Sequence, residues 1–257
     1  KDGKTARYTW DAVGRLTGYT DFDGTIYEYG YDAFGLRNRV TVDGVTTAYL
    51  NDPTGYGYAA ASYGKDGETH YILTGGIAGL RTGAETYYYQ TDRLGSVTGL
   101  TGAAGTAVNR YTYDQEGNVL TQTDGVFNPY TYAGFFGLMA DGNGLIYDRA
   151  RYICAETDSF VSMDPAGQNY DLNLYRYAGN NLIDCIDISG EYLIPVTMVP
   201  PVGAGGGMYN GPYQPPKDGQ KGNSQKKQTV VKPPDDNNNQ KPGDGDGGDP
   251  NKPGQRF

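Results

Sequence analysis

The sequence is poor in reactive side chains. Among 257 residues it holds one histidine, two cysteines and one tryptophan. His70 has no serine or cysteine of a nucleophile motif beside it, so it reads as an ordinary polar side chain. Cys154 and Cys185 are too few for a disulfide framework; one bridge or two buried thiols both fit. Two cysteines and one histidine do not complete a four-ligand zinc site. Asp244, Asp246 and Asp249 imitate the start of a calcium loop, but Gln255 stands where the closing glutamate belongs. The run Gly203-Ala204-Gly205-Gly206-Gly207 lacks the Gly-Lys-Ser/Thr of a phosphate loop. No cofactor and no metal are therefore expected.

Long apolar runs are missing as well. Leu193 to Val202 is short and broken by Pro195, Pro200 and Pro201, so no membrane span is expected. No signal peptide is visible in the sequence, and the start reads as a cut from a longer polypeptide. The net charge is −9, carried by residues 1–190, since residues 191–257 are close to neutral. An acidic body disfavours nucleic acid and anionic membranes as direct partners. It suits solubility or a cationic partner.

What the chain has in quantity is glycine, 40 residues, and tyrosine, 25 against seven phenylalanines. A tyrosine buries its ring while its hydroxyl stays wet or bonded. Tyr-x-x-Asp-x-x-Gly occurs at Tyr8-Asp11-Gly14, Tyr29-Asp32-Gly35, Tyr49-Asp52-Gly55, Tyr89-Asp92-Gly95 and Tyr111-Asp114-Gly117. The starts are 21, 20, 40 and 22 residues apart, the 40 being a double step over a decayed copy near Tyr71. Such a period marks a repeat architecture. Tyr29 and Tyr31, like Tyr8 and Trp10 or Tyr111 and Tyr113, share a strand face at spacing two. The aspartate ends the strand by accepting backbone N–H groups, and the glycine tolerates the turn that follows.

Between the motifs lie Asp23-Gly24, Asp43-Gly44, Asp66-Gly67, Asp124-Gly125 and Asn143-Gly144, with Ala104-Gly105 as a weaker relative. These dipeptides predict type I′ hairpin turns. Each period is then one β-hairpin, and neighbouring hairpins must pair to be stable. The fold class is all-β. Residues 1–128 read as repeats and 129–190 as a denser end block. Residues 191–257, rich in glycine, proline and asparagine, read as a disordered tail or linker.

Several blocks carry a family resemblance. Tyr89 to Val97 (YQTDRLGSV), Arg149-Ala150-Arg151-Tyr152, Asp164-Pro165-Ala166-Gly167 and Leu172 to Asn181 (LNLYRYAGNN) resemble the core associated with RHS (rearrangement hotspot) repeats. The Tyr-x-x-Asp copies upstream resemble YD repeats. The resemblance covers roughly residues 5–190. It implies a spiralling sheet that closes as a hollow shell, as in toxin-complex C components and teneurins, with the core block capping one end. In bacterial polymorphic toxins such a shell holds a variable C-terminal toxin. The implied setting is secreted or at the bacterial cell surface. The implied partners are a C-terminal toxin cargo or upstream repeats of the same polypeptide. A tyrosine-lined inner face would suit a guest of this kind. This segment alone is expected to leave an open sheet edge.

The resemblance also implies self-cleavage just beyond the second of two Asp-Pro-x-Gly motifs. The first is intact at Asp164; the second reads Asp187-Ile188-Ser189-Gly190. Two carboxylates in a dry site would share a proton, one activating water and the other polarising the scissile carbonyl. Tethering supplies the substrate. Asp164 and Asp187 are the expected catalytic pair, with the cut after Glu191. Ile188 and Glu191 depart from the family's proline and leucine, which weakens the motif. The competing role is that both aspartates only cap turns. Arg149 and Arg151, at spacing two on one strand face beside acidic neighbours, read as structural ion-pair partners, with steering of the aspartate pair as the alternative. Three functions compete: a shell segment of an RHS-type toxin without its cargo, a cell-surface adhesion or glycan-binding module, and a vestigial core.

Overall fold

The computed structural model describes residues 3–52, 57–114, 116–167, 172–191 and 193–196. All lie in the first of two compact units, Lys1–Pro215 and Pro216–Phe257. Twelve strands form one antiparallel sheet in which each pairs with its neighbours in sequence. The first six are β1 (Arg7–Trp10), β2 (Leu16–Thr20), β3 (Ile26–Tyr31), β4 (Arg37–Val42), β5 (Val45–Asn51) and β6 (Ala59–Gly64). Then come β7 (Gly67–Leu73), β8 (Ile77–Thr82), β9 (Glu85–Thr91), β10 (Val97–Gly102), β11 (Ala107–Tyr113) and β12 (Val119–Thr123). The repeats are thus a hairpin meander, and β1 and β12 each pair on one side only among the described residues.

Four copies of the motif build the same turn. Oδ1 of Asp11 accepts the amides of Val13 and Arg15, and Oδ1 of Asp32 those of Phe34 and Leu36, all at 2.9–3.0 Å. Asp92 and Asp114 do the same with Leu94 and Ser96, and with Glu116 and Asn118. The motif glycine, such as Gly35 at φ 82°, occupies the left-handed position that a type I turn followed by a bulge demands. Register slips beside these turns, for example between Gly30 and Tyr31. The turn after Asp52 falls on residues 53–56, outside the described residues. The decayed copy still makes a hairpin, with Thr74 N bonded to Gly76 O at 2.8 Å in place of the aspartate turn.

The Asp-Gly dipeptides are less uniform than expected. Asp43-Gly44 is the type I′ turn, with both φ values positive, 46° and 84°. At Asp23-Gly24 and Asp66-Gly67 only the glycine is left-handed. A residue with a Cβ resists positive φ, so there the chain takes a type I turn and leaves the bend to glycine. Asp124-Gly125 closes no hairpin. It follows the last strand of the sheet, where Asn109 Oδ1 accepts the amides of Gly125 and Val126. Asn143-Gly144 lies in a longer loop closed from Asp141 to Leu145.

A second sheet contains β13 (Met139–Ala140), β14 (Leu145–Asp148), β15 (Arg151–Cys154) and β16 (Ser159–Phe160). A two-stranded ribbon pairs β17 (Cys185–Asp187) with β18 (Leu193–Pro195). The last strand corrects the expected tail boundary: folded structure continues past Glu191, because Ile194 and Val196 bury their side chains in an apolar cluster. Residues 197–257 of that expected tail lie outside the described residues.

The tyrosines do what their chemistry suggests. Tyr19, Tyr27, Tyr29, Tyr49, Tyr71 and Tyr111 are buried on one side of the large sheet. Their neighbours send hydroxyls to adjoining hairpins: Tyr31 donates to Leu16 O and Tyr113 to Val97 O, both at 2.5 Å. The end block covers part of this face, with Tyr152 5.0 Å from Tyr29 and Tyr130 edge-on to Tyr71 at 4.9 Å between ring centroids. Arg37 sits at the centre of the contact. Its Nη1 is 2.6 Å from Asp141 Oδ2, and the rings of Tyr29, Tyr49, Tyr147 and Tyr152 surround its guanidinium at 4.6–5.8 Å. Beside it opens a cleft of about 1140 Å³, lined among others by Val40, Tyr49, Ser62, Asp124 and Phe127. His70 pairs with Glu68 on the surface at 2.9 Å. Cys154 and Cys185 are free, partly buried thiols.

Candidate self-cleavage site

The site starts from a hairpin tip. β14 and β15 pair Asp148 with Arg151, which leaves Arg149 and Ala150 as the turn. Arg149 takes φ 46°, so the strand face that spacing two suggested for the two arginines is not formed. The tip docks instead on the segment before the expected cut. Arg149 Nη1 donates to Ile188 O, Ala150 N to Ser189 O at 3.2 Å, and Arg151 Nε to Gly190 O. Three consecutive carbonyls are thereby held. Gly190 makes the approach possible: at φ 73° it presses on the tip, where a Cβ would overlap the Asp148 carbonyl oxygen.

Both expected aspartates converge on Arg151. Its Nη2 is 3.0 Å from Asp164 Oδ2 and 3.5 Å from Asp187 Oδ2. Nη1 donates to Leu174 O at 3.1 Å, and the guanidinium lies 3.5 Å above the Phe160 ring. The two carboxylates therefore flank one cation.

Each aspartate also caps a turn, as the competing role requires. Asp164 Oδ1 accepts Ala166 N at 2.8 Å. Asp187 Oδ1 accepts the amides of Ser189 and Gly190 at 2.9 and 2.8 Å, and the Ser189 hydroxyl at 3.2 Å. One oxygen of each caps while the other meets Arg151. Burial pushes the Asp187 carboxyl up to about 6, against the pull of the two amides and Arg151. Burial likewise lowers the proton affinity of Arg151. Ile188, in the proline position, is anchored by packing in the apolar cluster with Ile186 and Ile194. Glu191 is exposed, and its amide donates to Ser189 Oγ at 3.1 Å.

One member of the site was not singled out from the sequence. Asp148 is fully buried, and its carboxylate oxygens have no hydrogen bond of ordinary geometry, only a weaker pull from the Gly190 amide. Arg149 Nη1 stands 3.9 Å from its Oδ1. Burial, reinforced by the charge of Asp187, holds the Asp148 carboxyl well above the usual carboxylate range. The sequence signal was a lone acid abutting Arg-Ala-Arg, which local patterning reads as solvated.

A meander of tyrosine-capped hairpins closed by a denser end block defines a β-repeat wall. The chain belongs to the RHS/YD-repeat family, whose RHS Repeat model matches residues 10–46. It is 31% identical over 223 residues to the tRNA3(Ser)-specific nuclease WapA of Bacillus spizizenii, covering 82% of this chain and 9% of that protein. It is 25% identical over 227 residues to the double-stranded DNA deaminase toxin A of Burkholderia cenocepacia, covering 81% and 14%. In structure it resembles the TcdB2-TccC3-TEV chain, with a TM-score of 0.58, 18% identity, and coverage of 72% of this chain and 10% of that one. The chain thus spans about a tenth of the length of the first curated relatives it matches.

Proposed function

We propose that this chain is a wall segment of the shell of an RHS-type secreted toxin, and that the shell is cut after Glu191 by its own Asp187, aided by Asp164 and Arg151. Relatives named for different activities, a tRNA nuclease and a DNA deaminase toxin, share this stretch. That supports a common structural part, with the differing activity carried elsewhere in each protein. The cleft of about 1140 Å³ is the size of a small-molecule pocket and far below that of a folded domain. Enclosing a toxin cargo requires more repeats pairing on the open edges of β1 and β12.

The observation that carries the cutting reading is the grip on the carbonyls of Ile188, Ser189 and Gly190, immediately before the bond. Such a grip holds a peptide in one geometry relative to the carboxylates, which converts hydrolysis into a step within one molecule. Asp187 takes the proton of the attacking water. Asp164 positions Arg151, which in turn positions Gly190. The test is denaturing intact-mass measurement of the full chain, 27.8 kDa uncut. Two species meeting at Glu191 are expected, and their absence in Asp187→Asn. A single uncut species at both neutral and mildly acidic pH defeats the reading.

A further inference from the structure

Ser189 carries a hydroxyl that its turn does not need. The same aspartate cap forms with Ala166 after Asp164 and with Phe34 after Asp32. Here the hydroxyl shares its partner with the peptide bond that precedes it. Asp187 Oδ1 accepts both the Ser189 hydroxyl, at 3.2 Å, and the Ser189 amide, at 2.9 Å. One carboxylate oxygen thus faces a nucleophile and the nitrogen it would displace. The Glu191 amide donates to Ser189 Oγ at 3.1 Å, which leaves the hydroxyl proton directed at Asp187. The carbonyl oxygen of the same peptide bond, on Ile188, accepts from Arg149 Nη1. Arg151 Nη2, 3.5 Å from the other Asp187 oxygen, orients the carboxylate. Nucleophile, base, orienting cation and oxyanion donor therefore surround one bond, Ile188–Ser189.

We propose that Ser189 attacks the Ile188 carbonyl and converts that amide into an ester, which gives the loop a second scissile bond upstream of the one after Glu191. This activity stands apart from the cut after Glu191. The attack closes a five-membered ring of Ser189 Oγ, Cβ, Cα and N with the Ile188 carbon, so the reactants are permanent neighbours. Ser189 Oγ bonds to the Ile188 carbon as its proton passes to Asp187. Charge collects on the carbonyl oxygen, where Arg149 stands. The carbon–nitrogen bond then breaks, and the Ser189 nitrogen takes the proton from Asp187. The product is an ester on Oγ and a free amine. Ser189 is only half-buried and Glu191 is exposed, so water reaches the ester. Water adds its hydroxide to the Ile188 carbon and its proton to Oγ, which leaves a carboxyl terminus at Ile188 and an amino terminus at Ser189. No further reactant is needed.

The experiment incubates the full 257-residue chain at neutral pH with and without hydroxylamine, which traps esters, and reads denaturing intact mass. The wild type is expected to give fragments 1–188 and 189–257, the first as a hydroxamate when hydroxylamine is present. Ser189→Ala should give neither. Ser189→Cys should cut about tenfold faster, because a thiol is the better nucleophile. Arg149→Met should cut this bond about a hundredfold more slowly, as loss of an oxyanion donor does. Fragments meeting at Ser189 in Ser189→Ala overturn the inference, as does a wild-type chain that hydroxylamine leaves whole at this bond. Should a variant lose the wild-type melting temperature, the wild-type masses decide alone. Fragments meeting only after Glu191 overturn this inference and leave that cut standing. Fragments meeting only before Ser189 support it and defeat the cut after Glu191.

Discussion

Arg151 holds the carbonyl of Gly190 through Nε while Nη2 stands between Asp164 and Asp187, 39 and 36 residues apart in sequence from the atoms it joins at Gly190 and Asp187. One planar fork therefore sets both the peptide and the carboxylate that would act on it. Lysine offers a single point charge and no fork. Arg151→Lys should slow cutting about a hundredfold while Asp164→Asn slows it less, because Arg151 keeps its other partners. Arg151→Ala should also cost about 3–5 kcal/mol in urea unfolding, as loss of one member of a buried charge cluster does. Unchanged cutting in Arg151→Lys would contradict the assigned grip.

Asp187 ties stability to pH. Its folded-state value, about 6, lies above the ordinary aspartate value of 3.8. The raised value means that its contribution to stability is complete below the unfolded value and is lost as pH rises through about 6. The gap corresponds to about 3 kcal/mol. The wild-type minus Asp187→Asn stability difference should fall by that order across this window. A pH-independent difference in chemical denaturation would show that burial does not govern this carboxyl.

Arg37 and Asp141 form an ion pair whose side chains are 0% and 4% exposed. Asp141→Ala leaves a guanidinium buried without its carboxylate and should cost about 3–5 kcal/mol. Replacing both, as in Arg37→Met with Asp141→Leu, should recover most of that loss, because the four tyrosine rings accept an apolar guest. A double variant as unstable as Asp141→Ala would mean that the charge itself organises the cage.

Asp32 accepts two turn amides through one oxygen. Asp32→Ala should destabilise by about 1–2 kcal/mol and Asp32→Asn by less, since the amide oxygen still accepts. Equal losses for the two would assign the effect to charge and not to the cap.

The wall was legible because its determinants are local. An aspartate that bonds residues two and four positions ahead, followed by a left-handed glycine, writes the same turn wherever it occurs, and the tyrosine three residues before it marks the buried face. The site was legible only in part. Asp164 and Asp187 were singled out through a motif, and Arg151 was weighed as an ion-pair member or as a residue steering them, but Asp148 passed unnoticed. Their roles depend on a hairpin tip meeting a segment nearly forty residues later, and no local spacing encodes that meeting. Arg37 escaped for the same reason: within Arg37-Asn38-Arg39 it looks solvated, and it is buried by residues more than a hundred positions away. The strand Leu193–Pro195 was missed because Pro195 and its short length suggested a linker, while pairing with Cys185–Asp187 stabilises it.

That late ribbon has a consequence for what happens once the Glu191 peptide is broken. Leu193–Pro195 lies downstream of the break yet stays zipped to Cys185–Asp187 upstream of it. The severed halves would remain latched by three residue pairs, so hydrolysis and departure become separate events. Covalent freedom would come first, and escape would wait for that small clasp to be pulled open.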